Sequence, residues 1–196
     1  MVNYLFYENI CDSSIKNRIG GDACLPNTVT WPKDKNNRNM LFLMTLSGEL
    51  ISMYTKILIP KNLSISVFIP YTKNSITDTI QMARSSDIAK VIIHENENFT
   101  RQENDTPLLP ARKISIKSED IEDEDEFSDE IEEKIGGVPT WLQDKIDYED
   151  YEFVLQILGT EFGKYFPEYK NIFLGGVGYL FFSKSTKQGI FQIQYT

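Results

Sequence analysis

Two copies of one short segment, Arg18-Ile19-Gly20-Gly21 and Lys134-Ile135-Gly136-Gly137, constrain this chain more than any other feature. Each joins a cation and a β-branched residue to a glycine pair. Paired glycines permit positive φ and close backbone approach where one element turns sharply into the next. Each copy is followed by a proline (Pro26, Pro139), a tryptophan (Trp31, Trp141), an apolar strand and a later aromatic strand. From the second glycine it is 23 residues to Met44 in one copy and 19 to Gln156 in the other. Two copies do not make a solenoid. The expectation is therefore an α+β fold, mostly β, with an internally duplicated, pseudo-two-fold sheet and a few short helices. One domain spans residues 1–196, its halves roughly 15–115 and 134–196, joined by an acidic segment at 118–133.

Periodicity fills in the elements. Leu63-Ser64-Ile65-Ser66-Val67-Phe68-Ile69 alternates apolar and polar residues as a strand with one buried face does. Apolar stretches bounded by turn residues give further strands at Met40 to Leu46, Leu50 to Lys56, Leu63 to Tyr71, Lys90 to His94 and Ile114 to Ile116. In the second half they fall at Tyr151 to Ile157, Gly178 to Ser183 and Ile190 to Tyr195. Helices are expected at Ser14 to Ile19, Ser75 to Arg84 and Ser128 to Ile135, the last with Ser128 as N-cap. Gly20, Gly21, Gly136 and Gly137 are read as structural turns. The alternative, amides that cradle an anion, lacks the longer glycine pattern of a phosphate loop or dinucleotide fingerprint.

The charge is local. Residues 119 to 133 hold 11 of the 29 acids and no Lys or Arg, leaving 18 acids against 20 bases elsewhere. Blocks of like charge stay solvated and extended, and they also attract basic partners over a distance. That acidity argues against nucleic acid as a ligand, and the run lacks the glycine turn and ligand order of a calcium loop. Cys11 and Cys24 are expected to be reduced thiols. With His94 as the only imidazole, no zinc-type cluster is expected, so neither metal nor cofactor is anticipated. The N-terminal residues lack the pattern of a secretory leader. The longest apolar run, Ile172 to Phe182, is too short to span a bilayer as a helix. A cytoplasmic location without membrane attachment is the resulting expectation.

In order and number, the two glycine segments resemble the YwqG-like family of bacterial proteins of unknown function. Leu25-Pro26, Trp31-Pro32, Leu41-Phe42-Leu43, Val138-Pro139, Trp141-Leu142-Gln143, Leu155-Gln156-Ile157 and Gly178-Tyr179-Leu180-Phe181-Phe182 carry the same resemblance. It covers roughly 18 to 46 and 134 to 196. It implies an internally duplicated α+β fold and, through the frequent neighbourhood of family members to toxin systems, an immunity role. The family tends to carry a glutamine where this chain has Met44 and an aspartate where it has Gly176.

Three functions are weighed. The first is a non-enzymatic protein-binding module, such as an immunity protein that occludes a basic toxin domain. It would use Glu122, Asp123, Glu124, Asp125 and Glu126 with Trp141, Gln143, Tyr148 and Tyr151, because aromatic anchors ringed by charge suit a tight interface. The second is a small-ligand sensor with its pocket between the halves. The third is a hydrolase, relying on carboxylates or on His94 with Cys24. The expectation is the binding module, with no catalytic residue assigned.

Overall fold

The computed structural model describes residues 1–10, 12, 14–96, 106, 108–123 and 130–195. In the first half, β1 (Val2–Ile10) and β2 (Arg18–Ile19) precede β3 (Leu41–Ser47), helix α1 (Gly48–Tyr54), β4 (Leu63–Ile69), helix α2 (Thr77–Arg84) and β5 (Lys90–Glu95). The second half repeats the series. Its elements are β6 (Arg112–Glu119), β7 (Lys134–Ile135), β8 (Tyr151–Leu158), helix α3 (Gly159–Tyr165), a 3-10 turn (Pro167–Ile172), β9 (Val177–Ser183) and β10 (Gly189–Gln194).

All ten strands form one sheet in the order β10-β9-β8-β7-β1-β6-β2-β3-β4-β5. Every named pairing is antiparallel. The order is a palindrome about the β1–β6 pair, so the duplication is a pseudo-two-fold with an exchange at its centre. β1 opens the first half but lies beside β7, and β6 opens the second half but lies beside β2. The outer strands come back together: a Cβ on Gly189 of β10 would lie 2.2 Å from Val91 Cγ1 of β5, so the sheet is nearly closed. Its main core holds Leu5, Leu43, Ile65, Leu155, Phe162 and Leu180. On the other face, Trp31 packs on Phe42 and Phe68, and Trp141 on Tyr179 and Phe181. Each tryptophan thus pins the loop after its glycine pair.

The glycine pairs are the hinges of the repeat. Gly20, Gly21, Gly136 and Gly137 have φ of 67, 74, 70 and 74°, the left-handed region where a Cβ is strained. The Gly20 N–H donates to Leu43 O at 2.8 Å and the Gly136 N–H to Val154 O at 2.7 Å. Those acceptors sit at the single-residue register shifts of β3 and β8. A bulge adds one residue to one strand and re-aims the side chains beyond it. The bulges also fix the correspondence of the halves. Arg18 pairs with Thr45 and Lys134 with Gln156, so the counterpart of Gln156 is Thr45, not Met44 as sequence spacing indicates. Gly176 is closely packed, since a Cβ there would meet Gln194 O at 2.0 Å.

Three expectations need correction. Leu50 to Lys56 reads as a strand because of its Ile, Tyr and Thr, yet it lies largely in α1. Ser47 caps that helix by accepting from the Leu50 N–H at 3.1 Å, and Glu49 sits in its first turn. Ser14 to Ile19 is not helical, because Arg18 and Ile19 are captured between β3 and β6. Lys134 and Ile135 are likewise strand, held by β1 and β8; Ser128, the expected N-cap, lies outside the described residues. No sequence reading anticipated β1, although Val2, Leu5 and Tyr7 are buried along it.

Candidate functional site

The residue before each glycine segment does the same backbone job in both halves, with different chemistry. Asn17 Oδ1 accepts from the Ser47 N–H at 2.8 Å, and Glu133 Oε1 accepts from the Leu158 N–H at 3.1 Å. The Leu5 N–H donates to Glu133 O, and the Ile114 N–H to Asn17 O, both at 2.9 Å. Leu5 therefore corresponds to Ile114, and Tyr7 to Ile116. Tyr7 donates its hydroxyl to Glu133 Oε1 at 2.7 Å. The apolar Ile116 has no hydroxyl to offer its own half. A buried carboxyl and a phenol thus stand in the second half where the first has an amide and an aliphatic side chain.

Glu133 lines a cleft of about 650 Å³ where the exchanged β1 meets β6, α3 and residues 130–133, with Tyr7 behind it. Five glutamates line it: Glu119, Glu130, Glu132, Glu133 and Glu161. Glu119 and Glu161 carry pairs with Lys117 at 2.7 Å and Lys164 at 2.5 Å. Exposed pairs of this kind contribute little energy and leave the cleft acidic. Glu133 is only 7% exposed. Burial pushes its carboxyl up to about 8, against the lowering effect of the Tyr7 hydroxyl and the Leu158 N–H. Tyr7 is raised well above the usual phenol range by its own burial, then by Glu133. At the mouth, Tyr4 is pushed up to about 12 by desolvation and the neighbouring Glu132. Burial thus favours the neutral form of Glu133 in the folded protein.

Of the acids singled out from the sequence, Glu122 is exposed, and Glu124, Asp125 and Glu126 lie outside the described residues. Asp123 is engaged internally. Its Oδ1 pairs with Lys134 Nζ at 2.6 Å, and its Oδ2 accepts from the Val138 N–H at 2.8 Å. The side chains of Lys134 and Asp123 are 6% and 13% exposed. Removing one partner of a buried pair strands the other charge, so Asp123→Asn is expected to cost about 3 kcal/mol. Urea denaturation reads that loss, and an unchanged midpoint would show the pair to be dispensable.

The aromatic candidates divide. Trp141, expected at the surface, is 4% exposed, stacked on Phe181 at 5.9 Å. Tyr148 and Tyr151 are half-buried against the same cluster, with the Tyr148 hydroxyl bonded to Gln192. Gln143 is exposed and donates to Tyr195 O at 2.7 Å.

Two buried polar ladders occupy matching places on the strands. In the second half, Gln156 Oε1 accepts from the Thr140 N–H at 2.9 Å, Tyr179 donates to Thr140 O at 2.8 Å, and Gln194 Oε1 accepts from Leu142 and Gln143 N–H. These bonds fix the loop after Gly137. In the first half the same positions hold Thr45, Ser66 and His94. Ser66 Oγ lies 3.3 Å from Thr45 Oγ1 and 2.8 Å from His94 Nε2. His94 Nδ1 is 2.8 Å from Glu95 O. The imidazole is 5% exposed. Cys24, also buried, has its Sγ 3.6 Å from Arg18 Nη2.

Both glycine hinges, and the repeat apart from β1 and β10, fall inside a segment, residues 17–186, that matches the family described as Domain of unknown function (DUF1963). The chain belongs to that family. Its match extends across the acidic segment and the middle of the chain, and is consistent with the resemblance to YwqG-like proteins. No curated protein matches the chain. Among the described residues, no helix of this family member is long and apolar enough to cross a membrane, and no cluster of three or more His, Cys, Asp or Glu is placed to hold a metal ion.

Proposed function

We propose that this DUF1963 member is a non-enzymatic cytoplasmic binding module that takes a basic protein partner, in the way an immunity protein neutralises a toxin by direct contact. The observation that carries the reading is the cleft itself. Five glutamates converge on about 650 Å³ at the exchange between halves, four of them, Glu119, Glu130, Glu132 and Glu133, drawn from the acid-rich residues 119–133. A cleft lined by one sign of charge focuses its field and speeds encounter with the opposite sign. Phe6, 45% exposed, lines the same cleft and supplies an apolar contact.

The test is capture from native-host lysate on immobilised protein. A basic protein should be recovered, elute as salt rises, and fall at least about tenfold in yield with the combined variant Glu119→Gln, Glu130→Gln, Glu132→Gln, Glu161→Gln. Equal recovery by that variant, or no protein at all, would overturn the proposal. A small-ligand sensor is the second reading, favoured by the same cleft, whose volume suits a small molecule. A thermal-shift screen of cationic metabolites separates the two, since a ligand that binds only the folded state raises the melting temperature.

A further inference from the structure

The cleft is more than an acidic surface, because one of its carboxyls is half-satisfied inside the protein. Both hydrogen bonds that Glu133 accepts fall on Oε1, from Tyr7 at 2.7 Å and Leu158 N–H at 3.1 Å. Among the described residues, Oε2 has no hydrogen-bond partner and is not sealed from solvent. Glu133 is 7% exposed and lines the cleft, so Oε2 is the oxygen left open to a polar group that enters from the cleft.

We propose that Oε2 of Glu133 is the terminal acceptor for a single alkylammonium or guanidinium group, the end of a lysine or arginine side chain of a basic partner, and that its entry releases a proton. This rests on the acidic cleft as the partner's docking place. The approach is graded: Glu119, Glu130, Glu132 and Glu161 line the way in, and Tyr4 stands beside Glu132. Around Glu133 itself stand Tyr7 from β1, Tyr165, Glu161 and Lys164 from α3, and Glu130 and Glu132 from its own segment. Lys164 is turned to Glu161.

Before binding, the carboxyl holds its proton on Oε2, because Oε1 accepts from two donors. The incoming cation stabilises the carboxylate, the O–H bond breaks, and the proton passes to buffer. A carboxylate and an ammonium then share a charge-assisted hydrogen bond in a dry site. No bond forms or breaks in the cation itself. The first half cannot do this, because Asn17 and Ile116 stand at the positions of Glu133 and Tyr7.

Hexalysine in 150 mM salt is the probe, titrated by calorimetry at pH 7 in two buffers of different ionisation enthalpy. Wild type is expected to release protons on binding the peptide. Glu133→Gln mimics the neutral carboxyl and should fold normally by thermal melting. It should release no proton and bind about tenfold more weakly. Exchanging the exposed Asp120 and Glu122 for amides should weaken binding without changing the proton count. Equal binding by wild type and Glu133→Gln with no proton released would overturn the assignment while leaving an acidic docking surface intact. Failure of hexalysine to bind wild type would overturn it too. Proton-linked hexalysine binding alongside lysate capture that ignores the cleft variant would instead overturn the basic-partner reading and keep the site.

Discussion

Replacing Gly136 with alanine is expected to unfold this protein or to lower its stability by at least about 3 kcal/mol. Two independent effects combine. The residue has φ of 70°, where an L side chain is strained, and a Cβ there would lie 1.9 Å from Tyr54 O. That contact is with the backbone at the end of α1, so no flexible atom can move aside. The hinge also carries the bond from the Gly136 N–H to Val154 O at the bulge of β8. Gly163 is the control. It lies inside α3 with ordinary φ, and a Cβ would approach only Lys170, its Cβ at 3.4 Å and its Cα at 4.0 Å. Gly163→Ala should be near neutral or stabilising by up to about 1 kcal/mol. Equal effects of the two substitutions in urea denaturation would contradict the assignment of Gly136 as a hinge.

The second large effect is a pH dependence traced to one carboxyl. Burial raises Glu133 from its ordinary 4.5 to about 8 in the folded protein. The folded state therefore holds a proton that the unfolded chain releases between those limits. Stability from this group is fully present below pH 4.5 and is lost as pH rises through 8. Its slope reaches about 1.4 kcal/mol per pH unit. The difference in unfolding free energy between wild type and Glu133→Gln should thus shift by roughly 4 kcal/mol from pH 4.5 to 8, against wild type as pH rises. Urea denaturation at pH 5, 6.5 and 8 reads it. Parallel curves for the two proteins would mean that Glu133 titrates like a solvated acid.

Much of the architecture is legible in the chain because the repeat is written in residue types with few alternatives. A glycine at positive φ has almost no substitute, so Gly20, Gly21, Gly136 and Gly137 announce their conformation. The serine alternation of β4 and the apolar run of β9 place strands whose outlines agree with the sheet. What local reasoning loses is anything decided by distant partners. Arg18-Ile19 and Lys134-Ile135 are two-residue strands whose identity depends on neighbours far along the chain. Leu50 to Lys56 has strand-prone residues but begins beside a serine cap, and the cap prevails. The equivalence of Gln156 with Thr45 depends on single-residue bulges, which intervals along the sequence cannot see.

The site was hidden by its surroundings. Glu133 ends a run of 11 acids, and composition treats it as one more solvated charge. Its neighbour Ile131 and the following Lys134-Ile135 hint that the chain is already entering the core there. The sharper signal is the repeat itself: aligned on the glycine pairs, Glu133 falls opposite Asn17, a neutral residue, one step before a buried strand. An acid at that step must be either paired or protonated. The aromatic candidates erred differently. Trp141 looks like an interface anchor by type, but the repeat gives it the role of Trp31, a clasp for the loop over its half-sheet.

The claim that a basic partner docks in the cleft is tested most directly by a photo-crosslinking residue in place of Phe6, inside the cleft, against one in place of Leu58. Leu58 is 84% exposed and lines a separate apolar groove. Irradiated in native-host cells, the Phe6 variant should form a covalent adduct with a basic protein, and the Leu58 variant should not. An adduct from the Leu58 position alone, or from neither, would contradict docking in the cleft.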